Sequence, residues 1–377
     1  MKTLGKYSFG IGDRFGLQGE AQLEAFCRAK AAGIDITPVW NKSKREHSTI
    51  GTAPGDVRIE ADAATAAKNW PADYCVDADH INLTCVDEFI ESSDFFTIDI
   101  AETLSEGLEA AAAEAGRIYR RIVEVKGEGT FVTEVSMDET DEPQLPDELF
   151  NMLGLLAAEG IPVQTVAPRF SGRFNKGVEY VGDVAQFAAE FEADVKVLRK
   201  AVEEFGLPQN LKLSLHSGSD KFAIYPIIGK IIKENDAGIH VKTAGTTWLE
   251  EVAGLAQAGG EALDMAKEIY RTAFAKQDEL TAPYASVIDI PPADLPSTDE
   301  VDGWSAEQFV AALEHNGDCP DYNPAFRQLI HVGYKVAAQM GDDYLNMVRK
   351  HEAVIGARVT ENIYARHMQR MFEELGK

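Results

Sequence analysis

The chain has 377 residues, 45% of them hydrophobic, with a formal net charge of −26 and a pI near 4.7. That length suits one large α/β domain or two ordinary ones, with enough apolar material for a sizeable core. So acidic a chain argues against nucleic acid or an anionic membrane as partner, and no apolar run reaches the ~18–20 residues a membrane helix needs.

Residues 1–9 carry no apolar signal-peptide core, so a cytoplasmic protein is expected. Cys27, Cys75, Cys85 and Cys319 show no CxxC spacing and are expected to be buried free thiols, not a zinc knuckle or redox pair.

In chain order, a short apolar run, YSFGIG, stops at Asp13-Arg14 and leads into an amphipathic helix over 18–32. A strand over 36–40 opens into NKSKREH (41–47), a loop dense in hydrogen-bond donors. A helix over 61–69 precedes a strand over 73–79 that ends in Asp79-His80, while 95–100 fits either an extra strand or a hairpin arm. There follow an Ala-rich helix over 104–125, a strand over 130–136 and a helix over 147–159. A strand over 162–167 then runs into Arg169, Arg173, Asn175 and Lys176, ahead of a long helix over 183–205. Two strands with alternating faces, LKLSLH (211–216) and GIHVKTAGT (238–246), flank a helix over 222–234. Helix over 246–276, broken near Gly259-Gly260, leads to a Pro/Asp/Ser-rich excursion over 283–303 and a helix over 305–315. A last strand is expected over 327–332, ending near His331, with helices from 342 to 375.

About eight alternations of strand and helix with short connections favour parallel strands joined by crossovers. No GxGxxG or GxxxxGK[ST] follows a strand, which removes the main support for an open nucleotide-binding sheet. The expectation is a single (β/α)8 TIM-type barrel over 1–377, with an insertion around 283–303 and C-terminal helices over 342–375.

In such a barrel every strand's carboxyl end opens at one mouth. That mouth would collect Asp13, Arg14, Asn41, Lys42, Asp79, His80, Glu134, Asp138, Arg169, His216, Asp220, Lys221, His240, Lys242 and His331. Imidazoles beside carboxylates are what a divalent transition metal such as Zn, Ni, Mn, Co or Fe requires. A single His at a strand end is more often structural, but the convergence of several outweighs coincidence. Parity supports His216, His240 and Glu134. It leaves Asp79 and His80 pointing to opposite faces unless the strand has ended by Asp79. Lys42, Arg45, Arg169, Arg173 and Lys176 are either a solvated face or a pocket for a carboxylate or phosphate. His315, His351 and His367 fall within helices, where packing is the default.

The segments FGIGDRFG (9–16), PVWNKSKREH (38–47), VDADHI (76–81), EVSMDET (134–140), HSGSDKF (216–222), HVKTAGTTWLE (240–250) and HVGYK (331–335) occur in that order. Together they resemble the tagaturonate/fructuronate epimerase family over most of the chain. The resemblance implies a metal-dependent isomerase that inverts C4 of a ketohexuronate or related ketohexose. It assigns Asp79 as proton acceptor, Glu134 as proton donor, and His80, His216 and His240 as metal ligands. Substrate contacts are then expected from Asp13, Arg14, Asn41, Lys42, Arg169, Arg173, Asp220, Lys221, Lys242 and His331. The implied partner is a small sugar acid or ketose, and a homo-oligomer is expected. Three alternatives remain: a barrel hydrolase (weakened because no HxH sits on the first strand), an aldolase, and a non-catalytic sugar-binding protein.

Overall fold

Eight short segments pair in parallel, each with the next in sequence and the last with the first, and close a barrel. They are β1 (Tyr7–Gly12), β2 (Ile36–Ser43), β3 (Cys75–Ile81), β4 (Phe95–Asp99), β5 (Val132–Ser136), β6 (Thr165–Ala167), β7 (Lys212–His216) and β8 (Ile239–Thr243). The computed structural model describes residues 1–140, 142–243 and 246–372. The barrel is therefore a (β/α)8 TIM-type fold, with helices such as Gly19–Ala31, Leu108–Lys126 and Val184–Phe205 outside it.

Alternation divides each strand into a helix-facing and a barrel-facing row. The barrel-facing rows stack in layers. Val39, Cys75, Phe95 and Val132 pack with Leu4 as an apolar floor. Above them lie Thr97 and Glu134, paired in register, and Ser214 and His240, likewise paired. The uppermost layer carries Asp79 beside Ser43 and His216 beside Lys242. The chemistry is thus held on strands above a closed hydrophobic plug.

The helix Val184–Phe205 shows why such a layer forms. Asp183 caps it by accepting N–H bonds from Ala185 (2.8 Å) and Gln186 (3.1 Å), and Phe187, Phe191, Leu198 and Ala201 form its buried stripe. Asp194 interrupts the stripe: it is buried, its Oδ1 has no partner, and burial together with Glu190 pushes its carboxyl up to about 7. An acid whose pKa is higher folded than unfolded costs nothing below ~4, and its penalty grows until pH passes its folded pKa. Asp194→Asn is therefore expected to raise the stability by about 2–4 kcal/mol at pH 8 and to change it little at pH 4. Denaturant midpoints at the two pH values check this.

Two expected elements differ from the structure. Residues 95–100, left open between strand and hairpin arm, form the barrel strand β4. Residues 327–332, expected as the last strand, belong to the helix Pro324–Val332, started by Pro324 and by Asn323 capping Phe326 N–H. Every residue from Ala325 to Val332 is buried, and a short run buried on all sides carries no period that separates helix from strand. The excursion after 283 consists of short turns, Ala282–Tyr284 and Pro292–Asp294, and the helix Thr298–Asp302. Helices Asp342–Lys350 and Glu352–Glu361 and a π-helical stretch Asn362–Met368 follow, while 373–375 lie outside the described residues. Among the described residues, no helix is long and apolar enough to cross a membrane.

Candidate active site

The site is built around the Lys242 ammonium. It donates to Asp77 Oδ2 at 2.7 Å and Asp79 Oδ1 at 2.9 Å, lies 3.2 Å from Glu134 Oε1, and contacts Thr97 Oγ1. Space for the lysine stem comes from Gly10, where a Cβ would stand 3.1 Å from Lys242 Cγ and 2.9 Å from Asn41 Nδ2. Burial opposes charge on Lys242, but the three carboxylates hold its pKa well above the usual lysine value. Burial also works against Asp79 and Glu134, yet Lys242 and the adjacent imidazoles keep both carboxyls well below their ordinary range. Asp77 is the exception: burial outweighs Lys242, and its carboxyl is pushed up to about 7.

Asp79 and His80 both reach the mouth, although they are neighbours on one strand. The register between β3 and β4 shifts between Ala78 and Ile81, and His80 has φ of +53°. A bulge with a left-handed residue turns the imidazole to the same side as the carboxylate. Such backbone costs on the order of 1–3 kcal/mol and persists where neighbours fix it. Here the fixing bond is His80 Nδ1–H to Asp79 Oδ1, 2.8 Å.

The two rim imidazoles are oriented alike. His80 gives Nδ1–H to Asp79, which leaves Nε2 3.4 Å from Asp138 Oδ1. His216 gives Nε2–H to Glu134 Oε1 at 2.9 Å, which leaves Nδ1 3.0 Å from Asp138 Oδ2 but out of line for a hydrogen bond. The ring centroids are 5.0 Å apart. His80 Nε2, His216 Nδ1 and an Asp138 oxygen thus converge within 4.8 Å of one another. Two nitrogens and a carboxylate, with the far side of each imidazole tied to another carboxylate, is a donor set that fits a divalent transition metal. Burial acts against both imidazolium forms, but the carboxylates around them raise both pKa values, and these protons must leave before the nitrogens can act as ligands.

His240 stands one layer lower. It is fully buried, its Nδ1 pairs with Ser8 Oγ at 2.9 Å, its ring lies against Phe95 (5.2 Å between centroids), and its Nε2 has no hydrogen-bond partner. Burial, ahead of the effects of Glu134 and Lys242, lowers its pKa to about 3, so it is a neutral imidazole.

The structure thus brings together Asp79, His80, Glu134, His216 and Lys242, with Asn41 alongside. Arg169, half-buried, donates to the Asp138 carbonyl at 3.3 Å. Other expected contacts are engaged elsewhere. Asp13 accepts the N–H groups of Phe15, Gly16, Leu17 and Gln18. Lys42 is buried on the helix-facing row beside Ala78, and Arg173 is exposed and paired with Asp289. Asp220 is buried against Arg327 (2.6 Å), His315 and His367 (both 3.2 Å). Lys221 donates to the carbonyls of Asn175, Val178 and Ser219 and stitches two loops together. His331 lies in the helix Pro324–Val332, not at a strand end, and its carbonyl accepts Arg14 Nη1. Arg14 is itself buried and paired with Glu46 Oε1 at 3.0 Å.

Comparisons with known proteins bear on the family and the fold. A curated tagaturonate/fructuronate epimerase from Thermotoga maritima is 28% identical over 380 residues, covering 87% of this chain and 72% of the relative. The native crystal structure of fructuronate-tagaturonate epimerase from Cohnella laeviribosi superposes with a TM-score of 0.81 at 22% identity, covering 98% of this chain and 82% of that one. A glycerol complex of that enzyme gives a TM-score of 0.80 at the same identity and coverage. The tagaturonate epimerase (UxaE) family model matches residues 109–371, more than half of the sequence, and the chain belongs to that family.

Proposed function

We propose that this protein interconverts tagaturonate and fructuronate by inverting C4, with a divalent cation held by His80, Asp138 and His216. The observation that carries the proposal is the coupling of two carboxylates, Asp79 and Glu134, to one ammonium and to the two rim imidazoles. The resemblance assigns His240 to the same cation. Its buried, unpartnered Nε2 supports that role, while its depth one layer below His216 separates it from the other three donors.

C4 of a 2-ketose is not α to the carbonyl, so simple enolisation cannot invert it. Retro-aldol cleavage can. Asp79, ionised and on the rim, takes the C4 hydroxyl proton as the C3–C4 bond breaks, and the bonding electrons pass into a C2–C3 enediolate. Rotation of the aldehyde fragment and attack on its opposite face re-form the bond with C4 inverted, and the new C4 alkoxide takes a proton back. A bound divalent cation supplies Lewis-acid stabilisation of the negative charge that develops on the substrate oxygens. Glu134 lies a layer beneath and is fully buried; Lys242 touches both carboxylates and links them as a proton route. The apolar floor below closes that route from the opposite end of the barrel.

Incubation with tagaturonate in D₂O tests both reaction and route. The expected result is fructuronate without deuterium at C4. Deuterium incorporated there would replace bond cleavage by direct deprotonation at carbon, and no conversion would remove the assignment.

A further inference from the structure

Two cations near the rim share one aromatic ring. Acidic residues outnumber basic ones in this chain, 62 to 36; several buried or half-buried cations are paired with carboxylates, and others, such as Lys221 and Arg169, donate to backbone carbonyls. Arg45 and Lys335, in contrast, have no carboxylate within ion-pair distance among the described residues, and both face one ring. The Arg45 guanidinium is 5.5 Å from the Tyr284 centroid and the Lys335 ammonium 5.1 Å from it. Tyr284 is hydrogen-bonded to Tyr334 (2.9 Å between hydroxyls), and the buried Arg14 guanidinium lies 4.1 Å from the Tyr334 ring. Three cations are thereby gathered on two tyrosines. The Glu46 carboxylate neutralises one, Arg14, and leaves two.

This cluster lies beside the chemistry. Ser43, at the end of β2, is in register with Asp79, and Arg45 follows two residues later. Glu46, one residue further on, feels the charge of Asp79. Lys335 belongs to the helix Tyr334–Met340, which packs against the helix Lys44–Ile50. Burial, followed by the proximity of Arg45, lowers the Lys335 pKa, while the Glu279 carboxylate, with a smaller effect, acts in the opposite direction. A tyrosine face holds a cation while leaving its N–H groups free to donate outward. An anion of carboxylate geometry would relieve the repulsion and accept from both.

We propose that Arg45 and Lys335, mounted on Tyr284, bind the carboxylate of the sugar-acid substrate and distinguish it from a neutral ketose. This rests on the ketohexuronate assignment above and adds the residues that select its charge. It also moves the carboxylate pocket away from Lys42 and Arg173, which face the outer helices and the Asp289 carboxylate.

The test compares calorimetric binding of tagaturonate and of neutral tagatose to the metal-loaded protein and its Arg45→Gln, Lys335→Gln and Arg173→Gln variants. Arg45 is exposed and Lys335 half-buried, so neither substitution threatens folding. Each of the first two variants is expected to bind tagaturonate about tenfold or more weakly, with tagatose binding unchanged and Arg173→Gln like the wild type. Equal tagaturonate binding by wild type and both variants, or a wild type that does not prefer tagaturonate over tagatose, would overturn the subsite. Turnover is followed separately. Conversion of tagaturonate with binding insensitive to both substitutions sinks the subsite alone, whereas charge-dependent binding without conversion sinks the reaction and leaves the subsite intact.

Discussion

Lys242→Met is expected to destabilise the fold by about 3–5 kcal/mol and to lower turnover by on the order of 10²–10³-fold. The substitution keeps most of the side-chain volume and removes only the ammonium, so packing is not the cause. What it leaves is three carboxylates, Asp77, Asp79 and Glu134, facing one another in the barrel without their common cation. Removing one partner of a buried ion pair is costly because the remaining charge is neither solvated nor paired. Asp77, already pushed up to about 7, is the first to take a proton, so part of the loss is expected to be recovered as the pH is lowered from 8 to 6. Denaturant unfolding and initial rates at both pH values measure the effect. Wild-type stability in the variant would mean that the carboxylates do not depend on Lys242.

Asp138→Asn is expected to lower turnover by on the order of 10³-fold or more, through loss of the metal and not of the fold. Asp138 is half-buried at the start of the loop after β5, with Ser136 Oγ donating to it at 2.5 Å, and its oxygens are the point on which His80 and His216 converge. Asparagine keeps the shape but removes a charge that, against burial, His216 and His80 hold well below the ordinary carboxylate range, so the metal-free variant is expected to stay folded with a somewhat lower thermal midpoint. Rates measured across a titration with Mn²⁺, Ni²⁺ or Zn²⁺ distinguish weakened binding, which saturating metal overcomes, from a direct loss of catalysis, which it does not. Full activity at ordinary metal concentrations would exclude Asp138 from the site.

The barrel was legible because its strands are short, alternate in character and are separated by helical spacing, and nothing local competes with that pattern. His216, His240 and Glu134 were legible by parity, since each occupies the barrel-facing row of a strand. The position of Asp138 after a strand places it at the mouth but not among the metal ligands: it lies two residues beyond β5, where the period no longer fixes direction. Asp79 and His80 posed the opposite problem. Sequence parity sets them on different faces, and the backbone overrides it with a register shift and a left-handed His80. Asp220 and Lys221 look like rim residues, in a Gly/Ser loop after a strand. Ser219 and Asp220 are both left-handed, and Asp220 meets Arg327, His315 and His367 from distant parts of the chain. No local pattern announces such partners. The π-helical stretch Asn362–Met368, which supplies His367, is equally invisible to a 3.6-residue period.

The most direct measurement is the metal content of protein purified without a His tag, as wild type and as the His216→Ala and Asp138→Asn variants, with folding verified by circular dichroism. The arrangement of His80, Asp138 and His216 predicts about one divalent transition metal ion per chain in the wild type and its loss from both folded variants. A wild type that neither retains nor takes up such an ion, or variants that bind it as well as the wild type, would contradict the metal site and the C4 inversion built on it.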